Sequence, residues 1–363
     1  MKILILGNSC VGLYKFRKEL LQRLVSENHD VYVSIPDGKF VPQIKEIGCK
    51  FLDTPIERRG KNPAKDFGLI RMYSFYLKEI KPDIVLTYTI KPNVYGGIAC
   101  QKEKVPYVAN VTGLGSAVEN GGVLQLITTT LYRKGLKKAQ KVFFQNEDNL
   151  EFMLKKKVVK NNYALIPGSG VNLEQHELSE YPKKNTIDFV YVGRMMTEKG
   201  FGLYLDAAEA IKSKYPETQF HVCGDYEDDY KERVEKLIND GIIIYHGMVE
   251  KMVDIYKNIH CTIHPTYYPE GMSNVLLESL ACGRPIITTD RPGCKEIVDD
   301  GVNGFVVRQR DVVDLIEKIE KFLNLSHEER KRFGINGREK VEKLFDRNIV
   351  IDKYIEEINK AKK

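Results

Sequence analysis

Two carboxylates and two cations stand out by type and spacing. Glu270 and Glu278 bracket the segment Pro269-Glu270-Gly271-Met272-Ser273-Asn274-Val275-Leu276-Leu277-Glu278. At about 1.5 Å of rise per residue, the second carboxylate sits about two turns into a helix that starts there. Acids at the two ends of that span suit the hydroxyls of two sugars separated by phosphates. Gly271 lets the backbone approach a ligand closely, and the amides of residues 271–275 would form a helix N-terminus that favours an anion. Arg194 and Lys199 lie in Gly193-Arg194-Met195-Met196-Thr197-Glu198-Lys199-Gly200, which follows an apolar run and opens a helix at about Gly200. Two cations beside the positive end of a helix suit a diphosphate. Taken singly, these are solvated surface cations, a capping Glu and a helical Glu. Their occurrence together in one half of the chain weighs against that bland reading.

The elements that position these residues follow from the apolar pattern. The 363 residues are too many for one ordinary domain. Apolar runs fall at 2–6, 30–35, 50–52, 83–87, 107–111, 141–144 and 163–166, with helical-period stretches between them, such as 14–28. The rhythm breaks around 167–185, where Pro167-Gly168-Ser169-Gly170 and Pro182-Lys183-Lys184-Asn185 read as a linker. It restarts at 187–192, 219–223, 242–245, 261–264, 285–288 and 304–307. Strand and helix in alternation mean parallel sheets covered on both faces. The expected fold is α/β, with two facing Rossmann-like, doubly wound parallel-sheet domains and a cleft between them. The expected boundaries are 1–168 and 185–345, with 346–363 as a C-terminal helix returning to the first domain. Ligands of such sheets sit outside the carboxyl ends of the strands, where both motifs lie.

Composition excludes several classes. Hydrophobic residues make up 42% and charged residues 29%, which is enough apolar material for full cores. No run approaches the roughly 20 apolar residues that span a bilayer, and residues 1–7 read as a strand rather than a signal peptide. The seven cysteines are scattered without a CxxC pair, which argues for a reducing cytoplasm. No His, Asp or Glu cluster has metal-ligand spacing, and Asp228-Asp229 reads as a solvated helix start. No metal and no cofactor are expected. The charge is uneven. Residues 1–166 hold 27 Lys and Arg against 15 Asp and Glu, a net of +12, whereas residues 167–363 carry −6.

Together with Ala281-Cys282-Gly283-Arg284-Pro285-Ile286-Ile287 and Gly301-Val302-Asn303-Gly304, the two motifs resemble the retaining glycosyltransferases of family 4, which have the GT-B architecture. The resemblance implies that Glu270 holds the donor sugar's hydroxyls, Glu278 the ribose, and Arg194 and Lys199 the diphosphate. Glu270, Arg194 and Lys199 are then the catalytic set. The donor side would also include Gly12, His246, Gly271, Met272, Ser273, Asn274 and Val275. In the first half, Arg59-Gly60-Lys61-Asn62-Pro63, Thr87-Tyr88-Thr89-Ile90-Lys91-Pro92-Asn93, Asn110-Val111-Thr112-Gly113-Leu114-Gly115 and Phe143-Phe144-Gln145-Asn146 resemble bacterial enzymes that build capsule, O-antigen or other lipid-linked glycans. That likeness implies a nucleotide-sugar donor, UDP-linked, and a polyprenyl-diphosphate-linked saccharide acceptor. Arg59, Thr89, Lys91, Asn93 and Thr112 are the acceptor-side candidates. Many family members carry a His after the fourth strand, near the reacting carbon. Here Thr87-Tyr88-Thr89 and Lys91 occupy that place, so Thr89 and Lys91 are both candidates to face the anomeric carbon. His264, which ends a strand six residues before Glu270, is a further candidate to line the cleft.

The segment from Gly122 to Ala139 reads as an amphipathic helix with Val123, Leu124, Ile127, Leu131 and Leu136 on one side. Arg133, Lys134, Lys137 and Lys138 cluster at its end, and Lys155, Lys156, Lys157 and Lys160 follow. With the +12 of this half, they point to an anionic membrane surface and a peripheral, cytoplasmic location on the inner face of the plasma membrane. Nothing resembles a nucleic-acid reading helix or an RNP-type strand, so nucleic acid is not an expected partner. Two other readings stay open: a GT-B UDP-sugar epimerase and a non-catalytic nucleotide-sugar-binding protein.

Overall fold

A computed structural model describes residues 1–56, 63–119 and 121–361. The chain divides into two compact units. The first holds Met1–Ser169, Glu270–Met272 and Asn348–Lys363, and the second holds Gly170–Pro269 and Ser273–Arg347.

The first unit is built on seven parallel strands: β1 (Lys2–Leu6), β2 (Asp30–Ile35), β3 (Lys50–Asp53), β4 (Ile84–Tyr88), β5 (Tyr107–Val111), β6 (Lys141–Phe144) and β7 (Tyr163–Leu165). Their order is β3-β2-β1-β4-β5-β6-β7. The second unit has β8 (Ile187–Val192), β9 (Thr218–Cys223), β10 (Ile243–Tyr245), β11 (Cys261–His264), β12 (Ile286–Thr289) and β13 (Gly304–Val307), in the order β10-β9-β8-β11-β12-β13. No strand end differs from its apolar run by more than one residue. Strands buried on both faces read as near-continuous apolar runs, so such runs mark them directly.

The strand order reverses at β1/β4 in the first sheet and at β8/β11 in the second. These switch points open crevices at the carboxyl ends of the strands. β1 sits at the first of them, with Ile5 paired to Val33 on one side and to Leu86 on the other. The helix Cys10–Ser26 follows β1 and starts earlier than its apolar spacing predicts. Ser9 caps it by accepting the Gly12 amide at 3.2 Å, a signal that side-chain periodicity alone misses. The helix Arg347–Lys360 places Val350, Ile351, Tyr354 and Ile358 in the core of the first unit. There the Tyr354 hydroxyl accepts from Asn110 Nδ2 at 2.5 Å, and its ring meets Phe143 edge-on at 5.0 Å.

The helix Gly122–Leu136 splits its predicted apolar side, with Val123, Leu124 and Ile127 exposed and Leu136 buried. Thr128, Thr129, Tyr132, Gly135 and Leu136 are buried, whereas Val123 is 74% exposed, Leu126 65% and Ile127 50%. The apolar residues of its first turns therefore face away from the core. Among the described residues, no helix is long and apolar enough to cross a membrane.

Candidate active site

In the second unit, β8 ends at Val192 and a 3-10 turn, Thr197–Lys199, leads into the helix Phe201–Lys214. Gly200 joins them with φ +71°, in the left-handed region, and a Cβ there would strike the Pro265 carbonyl. Only glycine meets both demands at low cost. The loop after β8 is thus pressed against the loop after β11. The Tyr267 amide donates to the Glu198 carbonyl at 2.8 Å, which ties the two loops together. Asp228 was expected to be a solvated helix start, but the helix opens at Lys231 and the Asp228 carboxylate accepts from the Thr197 amide at 2.7 Å and its hydroxyl at 2.9 Å.

This loop pair aims Arg194 and Lys199 at one ring. The Arg194 guanidinium carbon lies 5.3 Å and the Lys199 Nζ 5.1 Å from the Tyr268 centroid. Each contact contributes roughly 0.5–1 kcal/mol where solvent reaches it. Arg194 also pairs with Glu227 at 2.6 Å. Two half-buried cations gathered on one ring repel each other by Coulomb's law unless negative charge lies nearby. Tyr268 was missed by sequence reasoning, although its place between the strand and Glu270 was a usable signal.

The helix carrying Glu278 begins at Asn274, not at residue 271. The Ser273 amide is taken by the Gly293 carbonyl at 2.8 Å, and the first intrahelical bond runs from the Leu277 amide to the Ser273 carbonyl. The amides without an intrahelical acceptor are therefore those of Asn274, Val275 and Leu276. Glu278 is half-buried and stands just over one turn into the helix. His246 is exposed and stacks on His221 at 5.2 Å, with their ring nitrogens 2.9 Å apart. Burial lowers the pKa of His221 to about 4 and that of His246 in the same direction, so both rings are neutral at pH 7. His264 is buried in the second unit, its ring 6.4 Å from that of Tyr191.

Glu270, Gly271 and Met272 belong to the first unit. Asn146, at the end of β6, donates its side-chain amide to the Gly271 carbonyl at 2.6 Å and to the Glu270 carbonyl at 3.3 Å. A Cβ on Gly271 would collide with the Thr112 carbonyl and the Gln145 side-chain oxygen. Gly271 thus permits a close approach of protein to protein, where the sequence suggested an approach to ligand. Met272 is buried against Gly168. Thr112 meets this segment through its backbone.

The other candidates of the first unit divide sharply. Gly12 lies in the first turn of its helix, with its amide held by Ser9. Asn93 has no exposed surface. Its Oδ1 accepts from Thr87 at 2.6 Å and its Nδ2 donates to the Asn110 carbonyl at 2.7 Å, so it joins the ends of β4 and β5 rather than facing a ligand. Arg59 lies outside the described residues. Lys91 is half-buried just ahead of a π-helical turn, Pro92–Gly96, a rare geometry that recurs at functional sites. Thr89 has φ +71° at the end of β4, and its buried hydroxyl finds no hydrogen-bond partner among the described residues. A β-branched residue in that conformation is strained.

The family model for glycosyl transferases group 1 matches residues 174–340, and that for glycosyl transferase 4-like domains matches residues 2–146. The chain is a glycosyltransferase of the GT-B fold. A 26% identical relative is the N,N'-diacetylbacillosaminyl-diphospho-undecaprenol alpha-1,3-N-acetylgalactosaminyltransferase of Campylobacter jejuni, aligned over 98% of this chain and 97% of its own. Another is the UDP-Gal:alpha-D-GlcNAc-diphosphoundecaprenol alpha-1,3-galactosyltransferase of Escherichia coli, 24% identical over 90% of this chain and 89% of its own. Among solved structures, Anabaena HepE in complex with UDP-glucose shares the fold with a TM-score of 0.80, over 99% of this glycosyltransferase and 100% of that chain, at 17% identity.

Strain at Thr89 has a measurable consequence. Thr89→Gly removes the steric cost and the orphaned hydroxyl, against about 0.5–1 kcal/mol of added chain entropy. Thermal and urea denaturation should show the variant more stable by about 1 kcal/mol. A lowered midpoint would show that the strain account is wrong.

Proposed function

We propose that the enzyme transfers a sugar, with retention of configuration, from a UDP-sugar to a saccharide carried on a polyprenyl diphosphate. The observation that carries this is the Arg194–Tyr268–Lys199 cluster at the β8/β11 switch point, in the same run of motifs as Glu270 and Glu278. Arg194 and Lys199 would neutralise the charge that grows on the departing diphosphate. Glu278 would hold the ribose and Glu270 the donor sugar's hydroxyls. The anomeric carbon–phosphate oxygen bond breaks while the bond to the acceptor oxygen forms on the same face. The acceptor's proton passes to the diphosphate, so the products are UDP and the elongated saccharide. The two cations supply charge where a bridging metal would otherwise be needed, so no metal is assigned.

The donor and acceptor classes rest on the relatives. Both are named for alpha-1,3 transfer to diphospho-undecaprenol-linked sugars, and one is named for UDP-Gal. UDP-galactose is itself an α-glycosyl phosphate, so an α product from it means retention.

The first unit supplies a surface suited to such an acceptor. Val123, Leu126 and Ile127 are exposed on the helix Gly122–Leu136. Arg133, near its end, donates to the Lys156 carbonyl at 2.8 Å, which ties the Lys155–Lys157 segment to the helix end that carries Lys134, Lys137 and Lys138. Each cation near an anionic leaflet contributes on the order of 1 kcal/mol. We place the enzyme at the cytoplasmic face of a membrane, held by this patch.

Purified enzyme should release UDP and elongate an undecaprenyl-diphosphate N-acetylhexosamine, with the small anomeric proton coupling of an α linkage in the NMR spectrum. A β linkage, or an epimerised UDP-sugar formed without acceptor, would refute the assignment. Sedimentation with anionic vesicles should fall with salt and fall further when Val123, Leu126 and Ile127 are all changed to Asp. Unchanged sedimentation in that variant would remove the membrane patch.

A further inference from the structure

The residue that fixes Glu270 in place lies in the other half of the sequence. Glu270–Met272 is a three-residue strap whose sequence neighbours, Pro269 and Ser273, belong to the second unit, while the strap belongs to the first. Its backbone carbonyls are held by two side chains of the first unit. Asn146 Nδ2 donates to the Gly271 oxygen at 2.6 Å and the Glu270 oxygen at 3.3 Å, and Asn149 Nδ2 donates to the Glu270 oxygen at 3.4 Å. Asn146 is 3% exposed, so these bonds are shielded from competing water. Its other atom is also fixed: Oδ1 accepts the Asn149 amide at 2.9 Å and caps the helix Glu147–Lys155. The side-chain amide is therefore oriented by one backbone and orients another. The missing Cβ of Gly271 allows the approach, because any side chain there would strike the Thr112 carbonyl and Gln145.

We infer that Asn146 is a positioning residue for sugar transfer. It sets the backbone from which the Glu270 carboxylate projects and touches no reacting atom itself. The inference rests on the proposed role of Glu270. Misplacement of a catalytic group by about 1 Å costs roughly 100-fold in rate, without loss of the binding made elsewhere. The donor diphosphate is assigned to Arg194 and Lys199, which lie together on the loop after β8, so donor affinity should be insensitive to Asn146.

Asn146→Asp separates positioning from folding. Aspartate keeps the helix cap, because its carboxylate accepts the Asn149 amide as well as asparagine does. It replaces the donor facing two carbonyl oxygens with a repelling acceptor. The variant should melt lower than the wild type but stay folded at the assay temperature, keep UDP affinity within about threefold by calorimetry, and lose about 100-fold in kcat with little change in KM for the nucleotide sugar. Asn146→Ala loses both cap and donor but buries no charge, so its midpoint should differ from that of Asn146→Asp while it is similarly slow. If kcat follows the thermal midpoint across the two variants, or Asn146→Asp turns over like wild type, the inference is overturned. Glu270→Gln, assayed in parallel, tests the reading beneath it. Loss in Glu270→Gln without loss in Asn146→Asp overturns the inference alone, and activity retained in Glu270→Gln overturns both.

Discussion

One backbone segment carries the heaviest constraint in this protein. Glu270–Met272 must leave the second unit's chain, present a carboxylate and return within three residues. Three features of the first unit meet that requirement: a carboxamide at the end of β6, a bare α-carbon at Gly271 and a seat for Met272 against Gly168. Behind them, Gln145 Nε2 reaches Asn110 Oδ1 at 3.4 Å, and Asn110 Nδ2 reaches Tyr354. A polar chain thus runs from the C-terminal helix through the core of the first unit to Gln145, whose side-chain oxygen lies close against Gly271. Buried networks of this kind are favourable only when satisfied, which ties the geometry of the strap to the integrity of the whole unit.

The charge distribution complements this division. In the second unit, two cations are gathered on one aromatic ring, and Glu227 balances one of them. In the first unit, the excess positive charge spreads over a surface that also exposes aliphatic side chains. The first arrangement suits a compact polyanion such as a diphosphate, and the second suits an extended anionic surface. Net charge alone gave only the sum of the two.

The fold was legible because parallel strands are mostly apolar along their length, so thirteen runs marked thirteen strands within a residue. Arg194 and Lys199 were legible as loop cations, because a strand end and a following helix fix where they stand. What could not be read was partnership across long sequence distances. Asn146 and Gly271 are 125 residues apart, and nothing in either segment names the other. Asn93 was an acceptor-side candidate, but its partners on β4 and β5 consume its side-chain amide. Gly271 looked like a ligand contact because a glycine's reason for being bare depends on its neighbour in space. The helix Gly122–Leu136 was legible only in part. Its apolar side was visible, but burial of Thr128, Thr129 and Tyr132 shows that a close crossing can select small and polar residues over aliphatic ones.

The central claim is a division of labour: Arg194 and Lys199 bind the nucleotide diphosphate, and Glu270 acts on the sugar. Calorimetric titration with UDP tests it most directly. Loss of a charge-assisted bond costs about 1.5–3 kcal/mol, so Lys199→Ala should weaken UDP binding by roughly tenfold to a hundredfold. Glu270→Gln should leave it within about twofold of wild type, because UDP lacks the transferred sugar that this carboxylate would hold and its ribose is assigned to Glu278. Unchanged UDP affinity in Lys199→Ala, or an equal loss in Glu270→Gln, would contradict the account.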